Sequence, residues 1–286
     1  IYYINVNKMC LMTKTITKGL KVNYELYIQN QSNKNSLADG WESKEEVDVS
    51  MNEIRKIKQE IVKNIPNNDF AKVVYAHNWI IDNVKYDVTT NKTNNSNIYG
   101  GLVKKEVVCE GYAKAFQYLC DLTAFEDEDI YSYIVTGTVS ELTGQGLHMW
   151  NIVHMGANGN YLVDVTNCDQ GMIGENNQLF LAGYTQGNIT NGYRFEVSSR
   201  QISYQYLEEM KYIYSHEDLT LVQGPALKES AMHVHSWQET QKTDSTCTSA
   251  GQQTITCSVC GKSKTQELPA IGHAYEMSYF LADDKD

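Results

Sequence analysis

Val107-Val108-Cys109-Glu110-Gly111-Tyr112-Ala113-Lys114-Ala115-Phe116 is the stretch whose reading decides the fold. Two β-branched residues close an extended segment, and from Cys109 the pattern turns helical. Tyr112, Ala113, Phe116, Leu119 and Cys120 then fall on one apolar face. A cysteine at the start of such a helix meets unpaired N–H groups and the positive end of the helix dipole, and both stabilise a thiolate. The competing reading is a buried helix-start cysteine packing as a small hydrophobe, which is the usual state of a lone Cys. Two strand-like segments downstream separate these readings. They are His148-Met149-Trp150-Asn151 and Tyr161-Leu162-Val163-Asp164-Val165-Thr166.

Outward from this stretch, the elements follow from period and punctuation. Strand-like runs occupy Tyr2–Val6 and Val22–Gln29, followed by a polar loop to about residue 46. Ser50 and Glu53 have capping-box spacing and predict a helix to about Asn64, which Pro66 ends. A second helix is expected over Asp69–Asn83, with Val73, Val74, His77, Ile80 and Ile81 as its stripe. Polar residues 88–97 read as a surface loop. Strands are expected at Tyr131–Val139, Leu147–His154 and Asn160–Thr166, the last two joined by the turn signal Gly156-Ala157-Asn158-Gly159. Leu179–Leu181 reads as a short strand, a Gly/Asn/Thr loop follows, and a Tyr-rich helix is expected near Tyr204–Tyr214. Leu219-Thr220-Leu221 reads as a last strand, ahead of the break at Gly224-Pro225.

Acyl transfer by a thiol needs an ionised sulfur, a base that shuttles the proton, and a group that holds the base in its useful tautomer. Cys109, His148 and Asp164 can fill those roles in that order. On a hairpin, Asp164 is expected to face His148 across the strands. His148, Trp150, Ile152 and His154 share one strand face, and Asn151 points the other way. The oxyanion site is expected at the Cys109 N–H, with Tyr86 or Tyr99 as a possible side-chain donor. His77 and His154 read as structural, and there is no Gly-rich phosphate loop or dinucleotide fingerprint.

Together, Val-Val-Cys-Glu-Gly-Tyr-Ala, His-Met-Trp-Asn-Ile-Val and Tyr-Leu-Val-Asp-Val-Thr resemble the transglutaminase-like superfamily in its bacterial, secreted form. Asn83-Val84-Lys85-Tyr86-Asp87 and Tyr99-Gly100-Gly101-Leu102 resemble the lead-in of that family. The resemblance covers residues 51–222 and implies an α+β, papain-like core, with the Cys109 helix packed on an antiparallel sheet carrying His148 and Asp164. It implies catalytic Cys109, His148 and Asp164, a protein or peptide substrate, and no catalytic cofactor. Two departures touch the cleft rim: Asn167-Cys168-Asp169, and the looser stretch Gly183–Arg194. The activity implied is cleavage or transfer of peptide-like amides through a thioester, with peptidase or amidase preferred. A cross-linking transglutaminase is one alternative. A non-catalytic binding or adhesion protein on the same fold is another, and an intact Cys-His-Asp set argues against it.

The composition is that of an ordinary globular chain: 42% hydrophobic and 21% charged over 286 residues. The net charge of −11 disfavours nucleic acid and anionic membranes as partners. No apolar run approaches the ~18 residues of a transmembrane segment. The expected organisation is N-terminal strands and loop over 1–50, the core over 51–224 and a Cys/His-rich β module over 228–286. In that module His235-Ser236-Trp237 and His273-Ala274-Tyr275 begin alike, which suggests one repeat and the start of a second. The module resembles the tandem Cys/His repeats of surface proteins from anaerobic Gram-positive bacteria. That implies an extracellular or cell-surface setting and a cell-wall or matrix partner. Cys247, Cys257 and Cys260, with His273 or His235, suit a structural zinc, and a disulfide is the rival staple.

Overall fold

The computed structural model describes residues 9–15, 22–28, 40–90, 93–141, 144–189, 191–232, 236–259 and 261–272. The chain falls into two compact units, residues 1–232 and 233–286. The first begins with an antiparallel hairpin of β1 (Met9–Thr15) and β2 (Val22–Ile28). The strand expected at Tyr2–Val6 lies outside the described residues.

Helix α1 spans Lys44–Val62, so it begins well before the expected capping box. Ser43 is the N-cap and accepts from the Glu46 N–H at 3.2 Å. Ser50 lies buried inside the helix instead, where its hydroxyl accepts from Trp41 Nε1 at 2.9 Å. Two Ser-x-x-Glu patterns compete here, and the buried tryptophan uses the second as a packing site. Helix α2 spans Asp69–Asn83 as the apolar stripe predicts, capped by Asn68.

His77 of α2 is fully buried against Phe180, with ring centroids 4.4 Å apart. Its Nδ1 meets Asn78 Oδ1 at 3.1 Å, and its Nε2 has no hydrogen-bond partner among the described residues. Burial lowers its pKa to about 4, against 6.5 for a free imidazole. The unfolded chain therefore takes up a proton on this group before the folded chain does. His77 contributes stability that is present above pH 6.5 and lost as pH falls from 6.5 toward 4. The loss is expected to reach about 3 kcal/mol. Urea midpoints measured from pH 7 to pH 5 should fall in the wild type, and the slope should flatten in His77→Leu.

The sheet that organises this unit has six antiparallel strands in the order β7-β6-β5-β10-β9-β8. Its members are β5 (Ile130–Glu141), β6 (Gly144–Met155), β7 (Asn160–Val163), β8 (Gln186–Ile189), β9 (Gly192–Val197) and β10 (Arg200–Tyr206). Helix α3 (Cys109–Leu122) packs on β5 and β6 and carries the apolar face read from its sequence. Tyr112, Phe116 and Leu119 of α3 share one core with Val153 and Met155 of β6. Trp150 and Ile152 point to the opposite side of β6, into a second core with Tyr133, Phe195 and Tyr204. The result is an α+β arrangement of helices on a curled antiparallel sheet.

Three expected elements differ. Tyr204 belongs to a strand, because Ile202 and Tyr204 alternate inward and pair with β5 and β9; only Met210–Ile213 (α5) is helical in the stretch read as one helix. Leu179–Leu181 forms turns rather than a strand, and the loop read after it holds β8 and much of β9. Leu219–Leu221 is not a strand: Leu221 forms an isolated parallel bridge with Asn160, and side chains also tie the segment, with the Tyr193 hydroxyl donating to Leu219 O at 3.0 Å and Asn160 Nδ2 donating to Thr220 O at 3.0 Å. The unit continues past Gly224-Pro225, for Leu227 is buried in the first core and its N–H donates to Leu181 O at 2.9 Å.

The second unit is a three-stranded antiparallel sheet of β11 (Trp237–Thr243), β12 (Gly251–Cys257) and β13 (Ser263–Leu268). Hydroxyls of Thr254 and Thr256 on β12 pair with Thr265 and Ser263 on β13 at 3.1 and 2.8 Å.

Candidate active site

Cys109 is the first residue of α3, and the preceding segment is fixed from two sides. The two-residue strand β3 (Lys85–Tyr86) pairs in parallel with β4 (Glu106–Val107), setting Tyr86 opposite Val107. The Val108 N–H donates to Asn95 O at 2.9 Å. Asp87 is buried just after Tyr86 and accepts from the Thr89 hydroxyl at 2.6 Å and from Asn95 Nδ2 at 2.9 Å. The loop of residues 93–97 thereby buttresses the helix start. Gly111 is required there, because a Cβ would stand 2.4 Å from Val107 Cβ and 2.7 Å from Asn95 O.

His148 lies on β6, and its Nε2 meets Asp164 Oδ2 at 2.7 Å. The Cys109 sulfur acts on the same imidazole from close range and helps to raise its pKa. The three residues read from the sequence are thus brought together. The route for Asp164 differs from the one expected. Strand β7 ends at Val163, paired with Asn151, so Asp164 does not face His148 across a ladder. It is the N-cap of the short helix α4 (Val165–Cys168) and turns back toward the imidazole from there.

Asp164 is fully buried, and four donors satisfy it. Oδ1 accepts from the Asn167 N–H at 3.0 Å. Oδ2 accepts from Asn167 Nδ2 at 2.7 Å and from the Tyr204 hydroxyl at 2.5 Å, besides His148. Burial would push this carboxyl up, but the His148 charge and these donors hold it below the ordinary carboxylate range. Burial also acts to lower the His148 pKa. The Asp164 charge and hydrogen bond, with the Cys109 sulfur, outweigh it and raise the value to about 10. The Tyr204 hydroxyl is pushed well above its usual pKa by burial and by the Asp164 charge, so it stays a donor. His148 stacks against Trp150 at 6.1 Å, and Trp150 meets Tyr204 edge-on at 5.1 Å.

Neither Tyr204 nor Asn167 is given a role in the catalytic set by the sequence. The alternation Ile202, Tyr204, Tyr206 is a strand signal that a tyrosine count hides. Asn167 had been seen only as a rim position. Tyr99 donates to Glu53 Oε2 at 2.7 Å and is committed to α1, whereas Tyr86 stands beside the Cys109 segment. Asn151 points away from His148 as read, and its Nδ2 donates to Ala113 O at 3.2 Å, tying β6 to the first turn of α3. His154 stacks on Tyr131 and meets Asn160 Oδ1 at 2.6 Å, in keeping with a structural role.

Burial pushes the thiols of Cys120 and Cys168 up, so they are poor nucleophiles. Among the residues nominated for a metal, Cys247 is exposed and Cys257 is buried at the end of β12, paired with Trp237. Cys260, His235 and His273 lie outside the described residues.

Residues 55–165, which hold Cys109, His148 and Asp164, match the family model for the transglutaminase-like superfamily. A solved structure described as the crystal structure of a TGase is 15% identical, with a TM-score of 0.32; the match covers 43% of this chain and 33% of that one. No curated protein matches the chain.

Proposed function

We propose that the protein is a thiol enzyme that cleaves peptide-like amides through a thioester at Cys109, with His148 as acid–base and Asp164 as its orienting carboxylate. The observation that carries this reading is the single imidazole shared by the Cys109 sulfur and a fully buried, four-donor carboxylate. The Cys109 thiolate adds to the amide carbonyl carbon, and the oxyanion forms against the Cys109 N–H and the Tyr86 hydroxyl. His148 then gives its proton to the leaving amine as the C–N bond breaks, leaving the thioester and a neutral imidazole. Water attacks the thioester while His148 takes its proton, releasing the acid and the thiol. The raised pKa of His148 keeps it an imidazolium acid at neutral pH.

An amine in place of water would give cross-linking by the same acyl intermediate. Hydrolysis is taken as the preferred fate, and transfer as the alternative that the same acyl intermediate allows. The substrates follow the extracellular or cell-surface setting that the tail implies. Incubation with casein and a fluorescent primary amine tests both fates. New peptides or released ammonia with little label in the protein supports hydrolysis. Label that grows with amine concentration supports transfer, and neither product in wild type, with or without reductant, refutes an enzyme on this class of substrate.

A further inference from the structure

The pairing of β6 changes along its length. Over Asn151–His154 it has β5 on one side and β7 on the other. Over Gly144–Trp150 it has β5 alone, and no described strand covers the opposite edge. The direction of each backbone group follows from the hydrogen bonds nearby. Leu162 of β7 exchanges both of its bonds with Ala182, at 3.0 and 2.9 Å, away from β6. Tyr161 and Val163 therefore face β6, and their partners Val153 and Asn151 face β7. With a period of two, Met149, Leu147 and Gln145 turn their N–H and C=O groups to the open edge. No described residue hydrogen-bonds those groups, and Gly144–Leu147 are exposed. Leu147, next to His148 in the sequence, is an apolar residue left 77% exposed.

Unpaired strand edges pair with other chains unless something blocks them. This one carries no proline over Gly144–Trp150 and no charged residue at its outward-facing positions Gln145, Leu147 and Met149, and it runs directly into the imidazole beside Cys109. Three outward-facing residues are too few for the ~1,000 Å² that a stable protein interface buries. They match the reach of one short extended peptide, read through its main chain.

We propose that the open β6 edge at Gln145–Met149 is the acyl-substrate subsite, where an extended polypeptide adds as a strand and lays its carbonyl against Cys109. This rests on Cys109 being the nucleophile. The added main chain is held by the Leu147 N–H and C=O, so recognition at this edge is independent of side-chain identity, while the Leu147 side chain favours an apolar neighbour.

The full chain tests this with two electrophiles carrying one reactive group, chloroacetone and acetyl-Ala-Ala-Ala chloromethyl ketone. In each, the thiolate displaces chloride and forms the S–C bond. The peptide reagent is expected to label Cys109 about tenfold faster than chloroacetone, from two main-chain hydrogen bonds. Leu147→Pro deletes the outward N–H without removing a ladder bond to β5, since that N–H faces away from it. It should bring the ratio near one and leave the chloroacetone rate unchanged. Methylating the internal amides of the peptide reagent should do the same to the wild type, with no mutation involved. Equal rates for the two electrophiles in wild type, or a ratio that survives both changes, would overturn the subsite. So would a wild-type dimer, by sedimentation, that Leu147→Pro converts to monomer, since a second copy would then hold the edge. Failure of chloroacetone to label Cys109 would instead overturn the nucleophile itself, and the subsite with it.

Discussion

Asp164→Asn is expected to lower turnover on casein by about 10³–10⁴-fold, the scale seen when an orienting carboxylate becomes an amide. The reason lies in the donor count at Oδ2, which accepts from His148, Asn167 and Tyr204 together. An amide nitrogen placed there would aim a donor at three donors. The imidazole would have to accept at Nε2, so it could no longer carry protons on both nitrogens, and the imidazolium that pairs with the thiolate and protonates the leaving amine would be lost. Flipping the amide only moves the conflict, because Oδ1 accepts from the Asn167 N–H. The folded chain should also lose about 3 kcal/mol, the usual cost of breaking a buried charged pair. Tyr204→Phe provides a graded comparison. It removes one of four donors and should cost about 1 kcal/mol and about tenfold in rate. Turnover of Asp164→Asn within tenfold of wild type, at equal folded fraction, would remove Asp164 from the mechanism.

Gly137→Ala should be strongly damaging for the addition of a single methyl. Gly137 lies on β5 opposite His148 and pairs on its other side with Tyr206 of β10. A Cβ there would stand 2.1 Å from Gln205 O and 2.5 Å from the Trp150 ring. The first contact is backbone and cannot rotate away, so β10 must shift, and β10 carries Tyr204. Overpacking of this kind costs about 3 kcal/mol or more, which in a unit of this size lowers Tm by about 6–12 °C. Because the shift moves the Tyr204 hydroxyl off Asp164, turnover should fall even at temperatures where the variant is folded. A variant with unchanged Tm would mean that the sheet tolerates a wider β5–β10 spacing.

The Cys109 helix, the α2 helix and the β5–β6–β7 hairpins were legible because each has a long, clean period and clear punctuation. The α1 start was misread because Ser43 and Ser50 both precede a Glu by three, and only the burial of Trp41 tells them apart. Tyr204 was hidden for a different reason. Tyrosines at 204, 206, 212 and 214 suit a helix by count, and only the pairing of Tyr204 and Tyr206 with β5 assigns those two to a strand. The site residues near one another in function, Cys109, His148 and Asp164, were readable from local motifs. The residues that hold them, Asn167, Tyr204 and Asn151, act through contacts that only the folded chain creates.

The most direct measurement is the alkylation of the folded protein by iodoacetamide at pH 6, with each cysteine followed by peptide mass spectrometry. Cys109 should react at least about tenfold faster than Cys120 and Cys168, and His148→Ala should remove that lead. Cys109 reacting no faster than those buried thiols, or keeping its lead without His148, would contradict a thiolate held by this imidazole and the enzyme built on it.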